Sequence, residues 1–129
     1  MRDLRHLKLW LTVGWLQVCL VIFFSLIPSP VEVHGIIGVD KLIHLFTYTF
    51  VMLWFGLCYT PSKTYERLGI CLILVGIVLE LIQGKTGYRT MSYLDMTANG
   101  LGVASGLLLA KTRFSGALLF IESRLTAAG

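Results

Sequence analysis

The sequence predicts an all-α fold, a bundle of four transmembrane helices, on three observations. The 129 residues are 56% hydrophobic and only 14% charged, with a mean hydropathy of +0.78, well outside the composition of a soluble domain. The apolar residues are gathered into four long blocks joined by short polar connections, the pattern of membrane-spanning helices. The polar residues that do enter these blocks crowd toward one end of them, and ionisable groups beside a membrane are costly enough to count as functional candidates.

The first block runs from about 9 to 27 and carries no charge. Arg2, Arg5 and Lys8 precede it, and Ser25-Leu26-Ile27-Pro28-Ser29-Pro30 follows in place of the small-x-small site of a cleaved leader. A retained helix stopped by the two prolines is expected. The second block covers 39–59 and the third 68–83, with Gly84 and Gly87 opening a loop. The fourth covers 94–110 and stops at Lys111-Thr112-Arg113. At ~1.5 Å per residue the last two just reach across a thin hydrocarbon core. In the tail, 111–129, Phe114, Leu118, Ile121 and Leu125 follow helical spacing. Two readings stand for it, an interfacial amphipathic helix and a frayed end. The whole chain, 1–129, reads as one domain.

Charge fixes an expected orientation. Arg2, Arg5, Lys8, Lys63, Arg67, Lys111, Arg113 and Arg124 fall on one side, against Lys41, Lys85 and Arg89 on the other. By the positive-inside rule both termini are expected to be cytoplasmic, with four spans between them. The net charge of +4 forms no basic patch or motif, so nucleic acid is not an expected partner. Cys19, Cys58 and Cys71 sit inside apolar blocks without metal spacing. They read as small buried side chains, and no metal or cofactor is expected.

With alternating helix directions, the start of the second span and the facing ends of the third and fourth meet at the outer face. Asp40, His44 and Tyr48 share an arc of about 80° on one helix, and Gly69, Gly76, Glu80 and Gln83 an arc of about 60° on the next. Asp95, Asn99, Gly102 and Gly106 share about 60° on the last. Glycines extending a polar stripe permit close helix approach. Glu80, His44 and Asp95 are the candidates for acid–base work. Asp40, Lys41, His44, Tyr48, Gln83, Arg89, Ser92 and Asn99 are candidates for ligand binding, with Arg89 suited to a phosphate. Each also has a bland reading. Asp40, Ser92 and Asp95 suit helix starts, Asn99 suits a packing hydrogen bond, Glu80 and Arg89 suit a structural ion pair, and Tyr48, Tyr59, Tyr88 and Tyr93 suit an interface belt. His6 and His34 read as ordinary flanking residues.

The ordered set resembles the VanZ-like family of small bacterial membrane proteins over roughly residues 20–110. It comprises Ser25-Leu26-Ile27-Pro28-Ser29-Pro30, then Asp40-Lys41-x-x-His44-x-x-x-Tyr48, Glu80-x-x-Gln83, and Arg89-x-x-Ser92-x-x-Asp95-x-x-x-Asn99-x-x-Gly102-x-x-x-Gly106. The loop Gly84-Lys85-Thr86-Gly87-Tyr88 departs from the phenylalanine- and proline-containing loop of that family. The resemblance implies four membrane helices and a link to glycopeptide (teicoplanin) susceptibility, and it supplies no reaction.

Three functions follow as expectations. The first is a membrane module binding or processing an envelope lipid or lipid-linked anionic group at the outer leaflet. The second is a membrane hydrolase or transferase using Glu80 and His44, for which no nucleophile stands out. The third is a structural protein whose polar cluster only packs helices. Oligomeric state is left open.

Overall fold

The computed structural model describes residues 3–28, 38–59, 62–112 and 116–127. Arg2, Ser29, Pro30, His34, Pro61, Arg113 and Phe114, which enter the sequence argument, lie outside the described residues, as does the side chain of Leu125. The fold is all-α among the described residues. Five helices follow in order: α1 (Leu7–Leu26), α2 (Val39–Cys58), α3 (Lys63–Gln83), α4 (Tyr93–Leu109) and α5 (Ala117–Ala127). Two of them, α1 and α2 at 20 residues each, are long and apolar enough to cross a membrane unaided. The expected four such helices are thus matched by two on length and composition. α4 has only 17 residues, and α3 carries Lys63, Glu66 and Arg67 in its first turns and Glu80 near its end.

The helix ends follow local chemistry. Ile27, directly before Pro28, is extended (φ −81°, ψ 149°) and closes α1, as the proline ring demands of its predecessor. Gly38 enters α2 at φ +97°, a conformation that side chains rarely adopt. α3 begins five residues before its apolar block, because the Ser62 hydroxyl accepts from the Tyr65 N–H (3.4 Å) and Glu66 sits in the first turn. Both stabilise the positive helix start, and an apolar window does not register such a polar turn.

Helices adjacent in the chain run antiparallel. At one end the α1 terminus meets the α3 terminus and the α2 start meets α4. At the other end Trp54 of α2 donates to the Trp10 carbonyl of α1 (2.9 Å). The most extensive packing joins α2 to α4. A Cβ on Gly102 would lie 2.5 Å from the Leu45 carbonyl oxygen, and one on Gly106 would lie 2.7 Å from the Thr49 carbonyl oxygen and from Met52 Cβ. Met52, Phe55, Tyr65, Leu72 and Val103 form the centre of the core. Outside it, every helix presents large apolar side chains, among them Phe23, Phe24, Phe46, Ile70, Leu101 and Phe120. Cys58 is buried, but Cys19 and Cys71 are exposed. The expectation of three buried thiols fails because α1 and α3 turn those two positions outward.

The tail is helical and docks on the protein. Leu118 is buried against Leu4 and Cys58, and Ile121 points outward, so the apolar stripe expected through both is not the docking face. Glu122 takes the place beside Leu118. Its carboxylate accepts from the Arg5 N–H (2.8 Å), the His6 N–H (2.9 Å) and the Trp10 indole N–H (2.8 Å). His6, the residue capping α1, offers no side-chain cap, so α5 supplies one. Burial opposes the ionised carboxyl of Glu122, but the indole and the two backbone donors outweigh it and hold its pKa below the ordinary 4.5.

Two outcomes follow. Gly106→Val forces α2 and α4 apart and should destabilise the protein by about 1–3 kcal/mol or more, read as a lower Tm in detergent. Gly100→Ala, on the same helix with nothing within 4 Å of the added carbon, should be neutral or stabilising by up to about 1 kcal/mol. Similar losses at both positions would refute the seam. Because the folded pKa of Glu122 is lowered, its contribution is complete above pH 4.5 and disappears as pH falls through the folded value. Tryptophan fluorescence should report release of α5 from Trp10 in acid. Glu122→Gln should flatten that titration, and superimposable acid curves for the two proteins would count against the cap.

Candidate functional site

The end of the bundle opposite the chain termini collects nearly every polar residue that the sequence singled out. The α2–α4 seam supplies two cross-links there. His44 Nδ1 lies 3.0 Å from Asn99 Oδ1. Lys41 Nζ lies 3.2 Å from Asp95 Oδ1 and 2.7 Å from Asp40 Oδ2. Asp40 itself is exposed and does not cap α2 through its side chain, since Gly38 holds the cap position. Its role is confined to the first-turn charge and to Lys41. Ser92 does cap α4, accepting from the Asp95 N–H at 3.2 Å. The Ser92 hydroxyl oxygen is thereby engaged, which weakens any case for it as a nucleophile.

α3 brings Glu80 and Gln83 into the same end. Glu80 is 2% exposed and accepts from the Ser92 backbone N–H at 3.1 Å. The close packing of α3 on α4 rests on Gly76, where a Cβ would stand 3.0 Å from both Asn99 Nδ2 and the Tyr48 hydroxyl. Asp95 is 7% exposed, and its Oδ1 has no directed hydrogen bond, only the nearby Lys41 ammonium. One ring nitrogen of His44 and one carboxylate oxygen each of Glu80 and Asp95 lie within 4.8 Å of one another. Two buried carboxylates so close are stabilised by positive charge placed between them. Because the three residues come from three helices, no spacing in the sequence displays them as a ligand set.

The ion pair that is the alternative reading of Glu80 and Arg89 is not formed. Arg89 Nη1 instead donates to the Ser25 carbonyl of α1 at 3.1 Å. Gln83 Nε2 donates to the same oxygen at 2.7 Å, and the Tyr88 hydroxyl donates to the Leu26 carbonyl at 2.5 Å. These carbonyls belong to the last turn of α1, where they have no partner within the helix. A cation and two neutral donors satisfy them and suit the negative end of the helix dipole. The residues that the sequence did not single out as partners are therefore Ser25 and Leu26. Their contribution is backbone, which side-chain chemistry cannot announce.

Beside this end lies an open cavity of about 240 Å³ lined by Leu20, Val21, Phe24, Ser25, Ile43, His44, Thr47, Tyr48 and Arg89. Its polar wall is His44, Tyr48 and Arg89, and its apolar wall is shared by α1 and α2. Among the described residues Arg89 has no carboxylate partner, so its guanidinium reaches the cavity with donors to spare. Asp40, Gln83, Ser92 and Asn99 do not line the cavity. Gln83, Ser92 and Asn99 tie helices together, and Asp40 pairs with Lys41. Compared with known proteins, the chain matches no family model, no curated protein and no solved structure.

Proposed function

We propose that this chain is a VanZ-like integral membrane protein of four spans, α1 to α4, with both termini cytoplasmic, and that it binds an envelope lipid or lipid-linked anionic group at its outer face. The observation that carries this reading is the cavity. It joins a cation, Arg89, which has no carboxylate partner among the described residues, to an apolar wall of Leu20, Val21, Phe24 and Ile43, a combination suited to a phosphate-bearing headgroup on an acyl or prenyl chain. The apolar exterior of every helix supports the membrane setting, because patches of that extent mark contact with lipid or protein. α4, at 17 residues, extends about 25 Å and requires local thinning of the bilayer. Tyr88 and Tyr93 are exposed at the polar end, where interface aromatics belong. The resemblance extends the proposal to glycopeptide susceptibility.

A second reading has its own support. Gln83, Asn99 and the Lys41–Asp95 pair each bridge two helices, as a purely structural cluster would. Catalysis by Glu80 and His44 is a third, with Ser92 committed to its cap.

Binding of an anionic polyprenyl phosphate to purified protein in phosphatidylcholine nanodiscs separates these readings. Arg89→Ala removes a charge-assisted contact worth about 1.5–3 kcal/mol, a loss of roughly tenfold to a hundredfold in affinity. Gln83 and Tyr88 still secure α1, so the Tm should change little. Equal affinity in wild type and variant, or binding indifferent to the headgroup, would exclude the lipid site. Glu80→Gln keeps an acceptor for the Ser92 N–H, so it should fold normally. Turnover lost with binding retained would favour the enzyme, and folded yield falling in step with every phenotype would favour the structural role.

A further inference from the structure

We propose that His44, Glu80 and Asp95 form a binding site for one divalent transition-metal ion of the zinc or manganese class. The three residues stand on α2, α3 and α4 and present one nitrogen and two carboxylate oxygens within 4.8 Å of one another. A mixed imidazole–carboxylate set selects borderline ions such as Zn²⁺ and Mn²⁺ over sodium or potassium. An ion ~2.1 Å from each ligand atom needs those atoms about 3–3.5 Å apart. Binding an ion therefore requires the Glu80 and Asp95 carboxylates to turn toward His44.

Three further observations point to an ion rather than to a self-contained polar knot. Asp95 Oδ1 is buried and accepts no directed hydrogen bond, and its charge contact is the partly exposed Lys41 ammonium at 3.2 Å, which leaves acceptor capacity on a charged, buried oxygen. His44 Nδ1 faces the Asn99 amide oxygen at 3.0 Å. An amide oxygen only accepts, and in the tautomer with the proton on Nδ1 the contact holds the ring while Nε2 keeps the lone pair that a metal requires, the usual support for a ligating histidine. Glu80 is oriented in turn by the Ser92 N–H. Among the described residues Lys41 competes for Asp95, and it has a shorter contact with Asp40, 2.7 Å against 3.2 Å to Asp95. It can release Asp95 to an ion and remain paired.

His44 also lines the cavity that holds Arg89, so an ion in this site would sit beside the proposed lipid cavity. The metal site does not depend on the lipid reading, because its ligands are complete without Arg89.

The test uses tag-free, full-length protein stripped with chelator in a neutral detergent, with no anionic lipid present. Titration with Zn²⁺ and with Mn²⁺ should show one ion per chain and a rise in Tm. Glu80→Gln and Asp95→Asn should each weaken binding about tenfold or more, and Asn99→Ala about tenfold through the orientation of His44. Lys41→Gln should tighten binding several-fold by removing the competing ammonium. Spin-echo spectra of bound Mn²⁺ in the wild type should show coupling to a histidine nitrogen, lost in His44→Gln. Failure of the wild type to retain an ion, absence of nitrogen coupling, or affinities unchanged in the carboxylate variants would overturn the assignment. The stoichiometry and the nitrogen coupling are read on wild type, so the result stands even where a variant folds poorly.

Discussion

The backbone contact between α2 and α4 is the constraint on which the rest of the structure depends. Gly102 and Gly106 leave no room for a β-carbon against the Leu45 and Thr49 carbonyls, so the two helices meet main chain to main chain. That approach fixes the rotation of both. It places Met52 and Val103 fully inside the core, and one to two turns toward the polar end it sets His44 beside Asn99 and Lys41 beside Asp95. Packing of this kind gains from dispersion and from hydrogen bonds made without intervening water, the two forces that remain available between helices in an apolar solvent. The site and the seam are therefore one object: loosening the glycines separates the ligands.

α1 is held differently. It fully buries only Gly14 and Val18, while Leu11, Val21 and Ile22 pack against the core partly exposed, so its ends matter more to its position than those of the other helices. Both ends are gripped. Glu122 accepts from the first N–H groups, and Gln83, Tyr88 and Arg89 donate to the last carbonyls. A carboxylate at the amino end and a guanidinium at the carboxyl end both match the helix dipole. In a poorly solvated setting these end groups have few other partners, so a helix with weak side-chain contacts still has a defined place. The wall of the cavity contributed by Leu20, Val21 and Phe24 follows from that placement.

The sequence exposed the helices and their polar end through hydropathy and through arcs of side chains on one face. Asp95, Asn99, Gly102 and Gly106 could be read as one stripe because helical periodicity is local. Ser92 could be read as a cap because capping chemistry is local as well. Partner choice was not legible. Nothing in the order of residues says that Arg89 turns to the Ser25 carbonyl rather than to Glu80, since the competing acceptor is a main-chain oxygen supplied by the end of another helix. Glu122 escaped notice for the same reason. It lies in a short tail helix of mixed character, its partners are backbone N–H groups more than a hundred residues away, and the apolar spacing of Leu118 and Ile121 suggested a different inward face. The exposure of Cys19 and Cys71 was not legible because both faces of their helices are apolar, and apolar neighbours in sequence do not distinguish the outer side from the core.

The two ends of the bundle differ in how completely their polar groups are used. At the terminal end, Glu122 receives three donors and the Trp54 and Trp10 indoles each have an acceptor. At the opposite end, among the described residues, Asp95 keeps acceptor capacity beyond its contact with Lys41 and Arg89 keeps donors beyond its contact with the Ser25 carbonyl. Lys41 divides itself between two carboxylates. A cluster serving only to staple helices gains from pairing its opposite charges directly. Surplus of both signs, with His44 common to the carboxylate group and to the cavity wall, is the arrangement expected where a bound cation and a bound anionic group complete the charge balance together. The polar end, where these groups meet beside an open cavity, is therefore the candidate for function.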